Sequence, residues 1–189
     1  MQQAIQGLYY TENIQAKGDK LIEFLDTRRW SSVTDAEHSR KYQHYGFTYN
    51  YKTRKIDEAC DPIPEELRPL QEELTTFCKE HGLIDDTYTF NQCIVNDYLP
   101  GQGINKHTDI NAYGGVIGCY TFGSGATMTF RNKDRVESIY VKPNSLYIMS
   151  GESRYLWTHE MPSRKSDMVE GKKIMRGRRV SVTFRYAPI

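Results

Sequence analysis

From about residue 88 to its end the chain is written as short runs of β-branched and aromatic residues punctuated by turns, and that rhythm limits the folds open to it. The runs are Tyr88 to Tyr98, Val116 to Phe122, Ala126 to Phe130, Val136 to Val141, Ser145 to Met149, Tyr155 to His159 and Arg178 to Tyr186. Gly123-Ser-Gly125, Asn132-Lys-Asp134 and Pro143-Asn144 supply turn chemistry between them. Short strands at regular spacing close into a sandwich or barrel.

Upstream the period changes. Leu21, Ile22, Phe24 and Leu25 share a helical face within residues 17–29. Leu67, Leu70, Leu74, Phe77 and Cys78 recur at helical spacing between Asp61-Pro-Ile-Pro64 and Gly82, with Pro69 suited to a first helical turn. The expected fold is mainly β with flanking helices (α+β): a double-stranded β-helix, or jelly-roll barrel, with two N-terminal helices packed on it. No repeat, low-complexity segment or linker divides residues 1–189, so one domain is expected, helices and a lid over about 1–85 and the barrel over about 86–189.

Charge excludes some functions. Lys and Arg number 25 against 24 Asp and Glu, a net charge of +1, so no global field holds a polyanion and any nucleic-acid contact would use local patches. Cys60, Cys78, Cys93 and Cys119 are scattered without a Cys-x-x-Cys pair, which argues against a zinc ribbon or disulfide framework and for a reducing compartment. The segment Met1 to Leu8 lacks the basic and apolar regions of a signal peptide, and no later run approaches the ~18 apolar residues of a membrane span. A cytoplasmic or nuclear monomer with no membrane contact is expected.

The chemistry concentrates in Asn96-Asp-Tyr-Leu-Pro-Gly-Gln-Gly-Ile-Asn-Lys-His-Thr-Asp109. In extended chain, residues i and i+2 face one side, so His107 and Asp109 can hold one metal ion together. Asn96 and Tyr98 share a face by the same alternation, although alone they would read as a strand end. A lone histidine such as His159, closing the aromatic run Gly151-Glu-Ser-Arg-Tyr-Leu-Trp-Thr-His159, is more often structural. Beside a His-x-Asp pair it completes a two-His, one-carboxylate triad, which leaves positions on iron open for co-substrate and oxygen.

Two further stretches admit two readings each. In Arg178-Arg-Val-Ser-Val-Thr-Phe-Arg-Tyr186, Arg179, Ser181, Thr183 and Arg185 alternate with apolar residues. That cationic, hydroxylic face is either the solvated side of an edge strand or an inner wall that binds a dicarboxylate. Residues 40–55 interleave aromatics with Lys and Arg, and period-2 placement puts Tyr45, Phe47, Tyr49 and Tyr51 on one face. Such a face suits base stacking beside phosphates, or else is an aromatic hairpin packed on the barrel.

Together, His107-x-Asp109, His159 and Arg179-x-Ser-x-Thr-x-Arg185, with Asn96-x-Tyr98-x-Pro-Gly101 upstream, resemble the AlkB family of Fe(II)/2-oxoglutarate dioxygenases. Gln43-His-Tyr-Gly46, the stretches 96–104 and 151–159, and Thr183-Phe-Arg185 are most similar to the family member that hydroxylates a modified wobble uridine in tRNA. The resemblance spans roughly residues 40–186. It implies His107, Asp109 and His159 as ligands of Fe(II), with 2-oxoglutarate and O2 as co-substrates. It further implies that Asn96 and Tyr98 hydrogen-bond 2-oxoglutarate, that Ile104 packs on it, and that Arg179 pairs with its distal carboxylate. Arg185 would sit near the keto-acid end and Asp109, and Ser181 stands where the family often has Asn. Cys119 and Thr121 stand where relatives commonly have serines, and no contact is carried over for them. Tyr42 to Lys55 would form a nucleotide-recognition lid, with Tyr42, His44, Tyr45, Phe47 and, from the aromatic run, Trp157 as substrate contacts.

The activity implied is oxidative demethylation or hydroxylation of an alkylated or modified nucleobase in RNA or DNA. The wobble-uridine enzyme also carries an RNA-recognition module and a methyltransferase domain, for which 189 residues have no room, so a tRNA substrate would call for a protein partner. The alternatives are a 2-oxoglutarate oxygenase acting on a protein or small molecule, and a catalytically silent nucleic-acid-binding module.

Overall fold

Residues 4–36 and 39–189 are described by a computed structural model. Residues 1–3, part of the N-terminal segment considered above for a signal peptide, and residues 37–38 lie outside the described residues. In chain order the first half holds β1 (Leu8–Thr11), α1 (Gly18–Asp26), β2 (Ser31–Ser32), β3 (Lys41–Tyr45), β4 (Phe47–Asn50), β5 (Lys55–Ala59) and α2 (Arg68–Glu80). There follow β6 (Gln92–Tyr98), β7 (Ile104–His107), β8 (Ile117–Gly123), β9 (Ala126–Asn132), β10 (Arg135–Val141) and β11 (Ser145–Met149). The chain closes with α3 (Gly151–Tyr155), β12 (Thr158–Met161), β13 (Ser166–Val169), β14 (Lys172–Met175) and β15 (Arg179–Arg185).

Seven strands form a sheet in the order β1-β11-β8-β15-β6-β3-β2, four form a second in the order β10-β9-β12-β7, and β4–β5 and β13–β14 are separate hairpins. Alternation along each strand of the larger sheet sorts its side chains. Val180, Val182 and Phe184 of β15, Cys93 and Val95 of β6 and Tyr120 and Phe122 of β8 join Leu21 and Leu25 of α1 and Leu70, Leu74 and Cys78 of α2 in one buried cluster. Tyr98, Ile117, Cys119, Tyr147 and Met149, one residue out of phase, meet Met128, Phe130 and Met161 of the smaller sheet in a second cluster. Helices α1 and α2 therefore cover one face of the larger sheet and the smaller sheet covers the other, which is the jelly-roll arrangement.

This sorting resolves the cationic face of β15. The strand lies between β8 and β6 rather than at an edge, and Arg179, Ser181 and Thr183 are only 4, 2 and 7% exposed. The polar face looks into the barrel, and the solvated-edge reading is excluded.

Elsewhere the structure corrects the expectations. There are three α-helices among the described residues, not two. The third, α3, occupies the start of the aromatic run expected to be a strand, and β12 begins only at Thr158. Ser150 caps α3 in a capping box with Ser153, whose hydroxyl accepts from the Ser150 N–H at 3.0 Å. That local chemistry outweighs the β-propensity of Tyr155 and Trp157. The single face through Tyr45, Phe47, Tyr49 and Tyr51 is broken at Gly46, whose φ of +84° ends β3 and restarts the chain as β4. The run expected from Tyr88 pairs only from Gln92, and β1, β2, β7, β13 and β14 lie outside the runs singled out by composition. All four cysteines are free. No helix among the described residues is long and apolar enough to cross a membrane.

Candidate active site

The end of β7 and the middle of β12 bring two histidines side by side, because the strands pair antiparallel with His159 opposite His107. Asp109 follows two residues beyond β7. Its Oδ1 lies 3.7 Å from His107 Nε2 and 3.5 Å from His159 Nε2, and the three candidate ligand atoms fall within 4.8 Å of one another. Asp109 Oδ1 is buried with no hydrogen-bond partner, while Oδ2 accepts from Arg185 Nε at 2.5 Å. His107 Nδ1 is 2.7 Å from the Asn105 carbonyl, which can only accept, so that nitrogen carries the proton and Nε2 offers its lone pair to the centre.

Protonation states agree with ligand duty. Burial, aided by the neighbouring His107, lowers His159 to about 3, so its imidazole is neutral at physiological pH. Burial by itself would raise the Asp109 carboxyl, but Arg185, His159 and His107 outweigh it and hold the group well below the usual carboxylate range. Two imidazoles and one carboxylate, converging on one point, are the donor set of a non-haem iron centre.

Behind the triad lies an inner cavity walled by Asn96, Tyr98, Ile104, Arg179, Ser181 and Arg185 among others. Three polar atoms here are buried without partners: Asn96 Oδ1, Arg179 Nε and Arg185 Nη1. Arg179 donates to Thr121 Oγ1 at 2.9 Å and touches Met161 Sδ at 3.7 Å, contacts that orient the guanidinium without neutralising it. Thr121, for which no contact was carried over, thus steadies that arginine. Unpaired buried cations are costly, and a dianionic ligand removes the cost. The residues present fit both iron and 2-oxoglutarate.

An outer cavity of about 400 Å³ shares Asn96, Ile104, His107 and Arg185 with the inner one. Its remaining walls include Arg40, Tyr49, Tyr51 and Arg54 from the lid region, with Lys106, Asp109 and Tyr113. Tyr42 and His44 stand behind this wall: their rings stack with centroids 4.4 Å apart, and His44 meets the Tyr51 hydroxyl at 3.2 Å through Nε2. His44 Nδ1 accepts the Tyr49 N–H at 3.3 Å. Burial, with Arg185 nearby, lowers His44 to about 4, so the ring is neutral and Nε2–H donates to Tyr51.

None of the five residues expected at the substrate lines this cavity: Tyr42 and His44 stand behind its wall, and the other three lie elsewhere. Tyr45 is 3% exposed in the helix-side core and donates to Gln43 Oε1 at 2.7 Å, because β3 alternation turns it away from Tyr42 and His44. Trp157 is fully buried between the sheets, with the Arg135 guanidinium 4.8 Å above its ring. Phe47 follows the Gly46 break and is absent from the wall. Conversely, composition gave no reason to single out Lys106 and Tyr113, although each sits within four residues of a metal-ligand candidate. Arg154 was equally hidden, since its partners are all main-chain carbonyls.

The model of the 2OG-Fe(II) oxygenase superfamily matches residues 16–185, and the chain belongs to that superfamily. Within it the chain is of the AlkB family, which brings Fe(II), 2-oxoglutarate and O2 as cofactor and co-substrates. It is 37% identical over 172 residues to uncharacterized protein L905 of Acanthamoeba polyphaga mimivirus, covering 88% of this chain and 77% of that protein. It is 34% identical over 155 residues to the tRNA (carboxymethyluridine(34)-5-O)-methyltransferase alkbh8 of Xenopus tropicalis, covering 79% of this chain but only 24% of that protein. The chain thus spans about a quarter of the Xenopus protein. The fold superposes on OsALKBH1 with a TM-score of 0.66 at 14% identity, covering 95% of this chain and 96% of that one. A Trichoplax adhaerens prolyl hydroxylase in complex with a hypoxia inducible factor peptide shares the fold at a TM-score of 0.60 and 14% identity, over 96% of this chain and 83% of that one.

Proposed function

We propose that this chain oxidises an alkylated or modified nucleobase in RNA or DNA, either removing an N-alkyl group or leaving a stable hydroxyl. The observation that carries the proposal is the outer cavity, whose wall holds Tyr49, Tyr51 and Tyr113 together with Arg40, Arg54 and Lys106 and includes His107 and Asp109 of the candidate iron triad. Tyrosine faces stack bases and cations hold phosphates. A base oxidised there has to leave its stack and enter the cavity. The relatives with tRNA methyltransferase names support a nucleic-acid substrate, and a tRNA substrate would bring a protein partner with it.

Iron with 2-oxoglutarate and O2 supplies the oxidation: the keto acid is converted to succinate and CO2, and one oxygen atom enters a C–H bond of the substrate. His107, Asp109 and His159 would hold the metal. Arg179 would pair with the distal carboxylate of 2-oxoglutarate, Asn96, Tyr98 and Ser181 would hydrogen-bond it, and Ile104 would pack on its chain. Arg185 holds Asp109 in one orientation. The aromatic wall backed by Tyr42 and His44 fixes the base against the metal face and excludes water. Hydroxylation of an N-methyl group releases formaldehyde, whereas a carbon side chain keeps the hydroxyl.

The test is succinate release from 2-oxoglutarate with Fe(II) and ascorbate, stimulated by methylated oligonucleotides or tRNA on one side and peptides on the other. Nucleic-acid stimulation is expected. Stimulation by peptides alone would replace the substrate class.

A further inference from the structure

The segment 151–159 carries His159, but its most heavily bonded side chain is Arg154, which the chemistry above does not use. Arg154 is 1% exposed, the second-to-last residue of α3. Its guanidinium donates from Nε to the Gly114 carbonyl at 3.1 Å and from Nη1 to the Asp109 carbonyl at 2.9 Å. Nη2 donates to the carbonyls of Ile110 at 2.8 Å and Tyr113 at 3.3 Å. Every one of these acceptors lies in residues 109–114, the connection from β7 to β8. No carboxylate pairs with Arg154 among the described residues; its carbon Cζ sits 4.7 Å over the Tyr155 ring. Burying a guanidinium against carbonyls and one ring, with no carboxylate bonded to it, is an expensive way to fix a loop. A planar fork with several donors can hold four carbonyls at once, which a lysine ammonium cannot.

The clasped loop carries the candidate site. It opens with Asp109, and Ile110 and Tyr113 wall the outer cavity. Its far side is pinned as well: the Gly114 N–H donates to the Tyr186 carbonyl at 2.8 Å, and a Cβ on Gly114 would fall 2.5 Å from the Tyr88 hydroxyl. Beyond α3 the chain runs into β12 and reaches His159 five residues after Arg154. One short segment therefore presents one ligand itself and holds the backbone of another.

We infer that Arg154 is a positioning residue that fixes the 109–114 loop, and with it the Asp109 carboxylate, against the two imidazoles before metal arrives. The inference rests on the reading of His107, Asp109 and His159 as iron ligands. Arg154 touches neither metal nor substrate and acts through the backbone of Asp109.

The test uses the full chain with Arg154→Lys and Arg154→Gln beside His159→Ala, all measured well below their melting temperatures. Anaerobic Fe(II) titration gives the iron dissociation constant, and turnover gives the ratio of succinate to oxidised nucleoside. Loosening the support of a ligand weakens metal binding by roughly 10–100-fold, so both Arg154 variants are expected to show that loss, with more succinate than product as oxidation uncouples. If Arg154 only stabilised the fold, melting would drop while the folded variants kept wild-type iron affinity and coupling, and the inference would be overturned with the metal reading intact. Undiminished iron affinity in His159→Ala would overturn the metal reading and this inference with it. Should neither Arg154 variant fold, hydrogen exchange on the metal-free wild type decides: protected Tyr113 and Gly114 amides are expected. Unprotected amides that become protected only when Fe(II) is added would show that the metal, not Arg154, orders the loop.

Discussion

Replacing Arg179 by methionine is expected to separate stability from function. In the protein without co-substrate the guanidinium is 4% exposed, leaves Nε unpaired, and keeps one good hydrogen bond, to Thr121 at 2.9 Å. The nearby Tyr98 ring, 5.4 Å from its carbon Cζ, offers only partial compensation. Exchanging buried ionic groups for apolar ones of similar size commonly stabilises by about 1–4 kcal/mol, and losing the Thr121 bond returns about 1 kcal/mol. A net gain of about 1 kcal/mol corresponds to melting some ~2–4 °C higher for a chain of this size. The same substitution takes away the proposed partner of the distal carboxylate. Removing one member of a buried, hydrogen-bonded charge pair costs about 2–5 kcal/mol. At about 1.4 kcal/mol per tenfold, KM for 2-oxoglutarate should rise from roughly 30-fold to a few thousand-fold. Arg179→Lys, which keeps the charge but loses the planar fork, should fall between wild type and methionine. Calorimetry without metal and succinate release against 2-oxoglutarate concentration give the two quantities. A methionine variant that melts several degrees lower while KM stays put would refute the reasoning: Arg179 would then be a structural arginine.

Tyr45→Phe should cost about 1 kcal/mol of stability by losing its bond to Gln43 and leave substrate KM unchanged, whereas Tyr51→Ala should raise substrate KM by the ~1–3 kcal/mol of a lost base stack; urea melts and steady-state kinetics read the two effects. Gly46→Ala places a Cβ 2.0 Å from the Asn91 carbonyl oxygen at a φ of +84°, and chemical denaturation should show a loss of at least about 1–3 kcal/mol. Asp167 is bonded by Arg176 at 2.7 and 2.9 Å, and although burial pushes its carboxyl up, those bonds win and hold it below its ordinary value. Its contribution is therefore complete above the unfolded carboxylate value of about 4 and fades as pH falls below it. The urea midpoint of wild type should drop more between pH 5 and pH 3 (about one unit either side of that value) than that of Asp167→Asn.

How much of this was legible in the sequence depends on whether the signal was local. Strict alternation in Arg179 to Arg185 separates a cationic face from an apolar one without reference to any other strand. What alternation cannot say is which face is inside, since that depends on β8 and β6 flanking the strand and on helices covering its apolar side. His107 and Asp109 announce themselves by spacing, while the partnership of His159 with them is a pairing between β7 and β12, 52 residues apart in number. The helix at Gly151–Tyr155 was hidden because five residues are too few for a helical period, and aromatic content pointed to a strand. Tyr45 and Trp157 were misplaced for a related reason: composition marks an aromatic as large and apolar, and whether it meets substrate or core turns on one residue of phase. Arg154 carried no signal, because hydrogen bonds to main-chain carbonyls leave no mark on the sequence of the acceptors.

The central claim is that the iron triad and the adjoining aromatic-basic cavity act together on a nucleobase. Mass spectrometry of nucleosides, after alkylated DNA and tRNA are incubated with the protein, Fe(II), ascorbate and 2-oxoglutarate, measures this directly. The expected result is one modified nucleoside that loses its alkyl group or gains one oxygen, in step with succinate, with both products absent for Asp109→Ala. Unchanged nucleosides across the panel, despite iron-dependent succinate release stimulated by a peptide or small molecule, would contradict it.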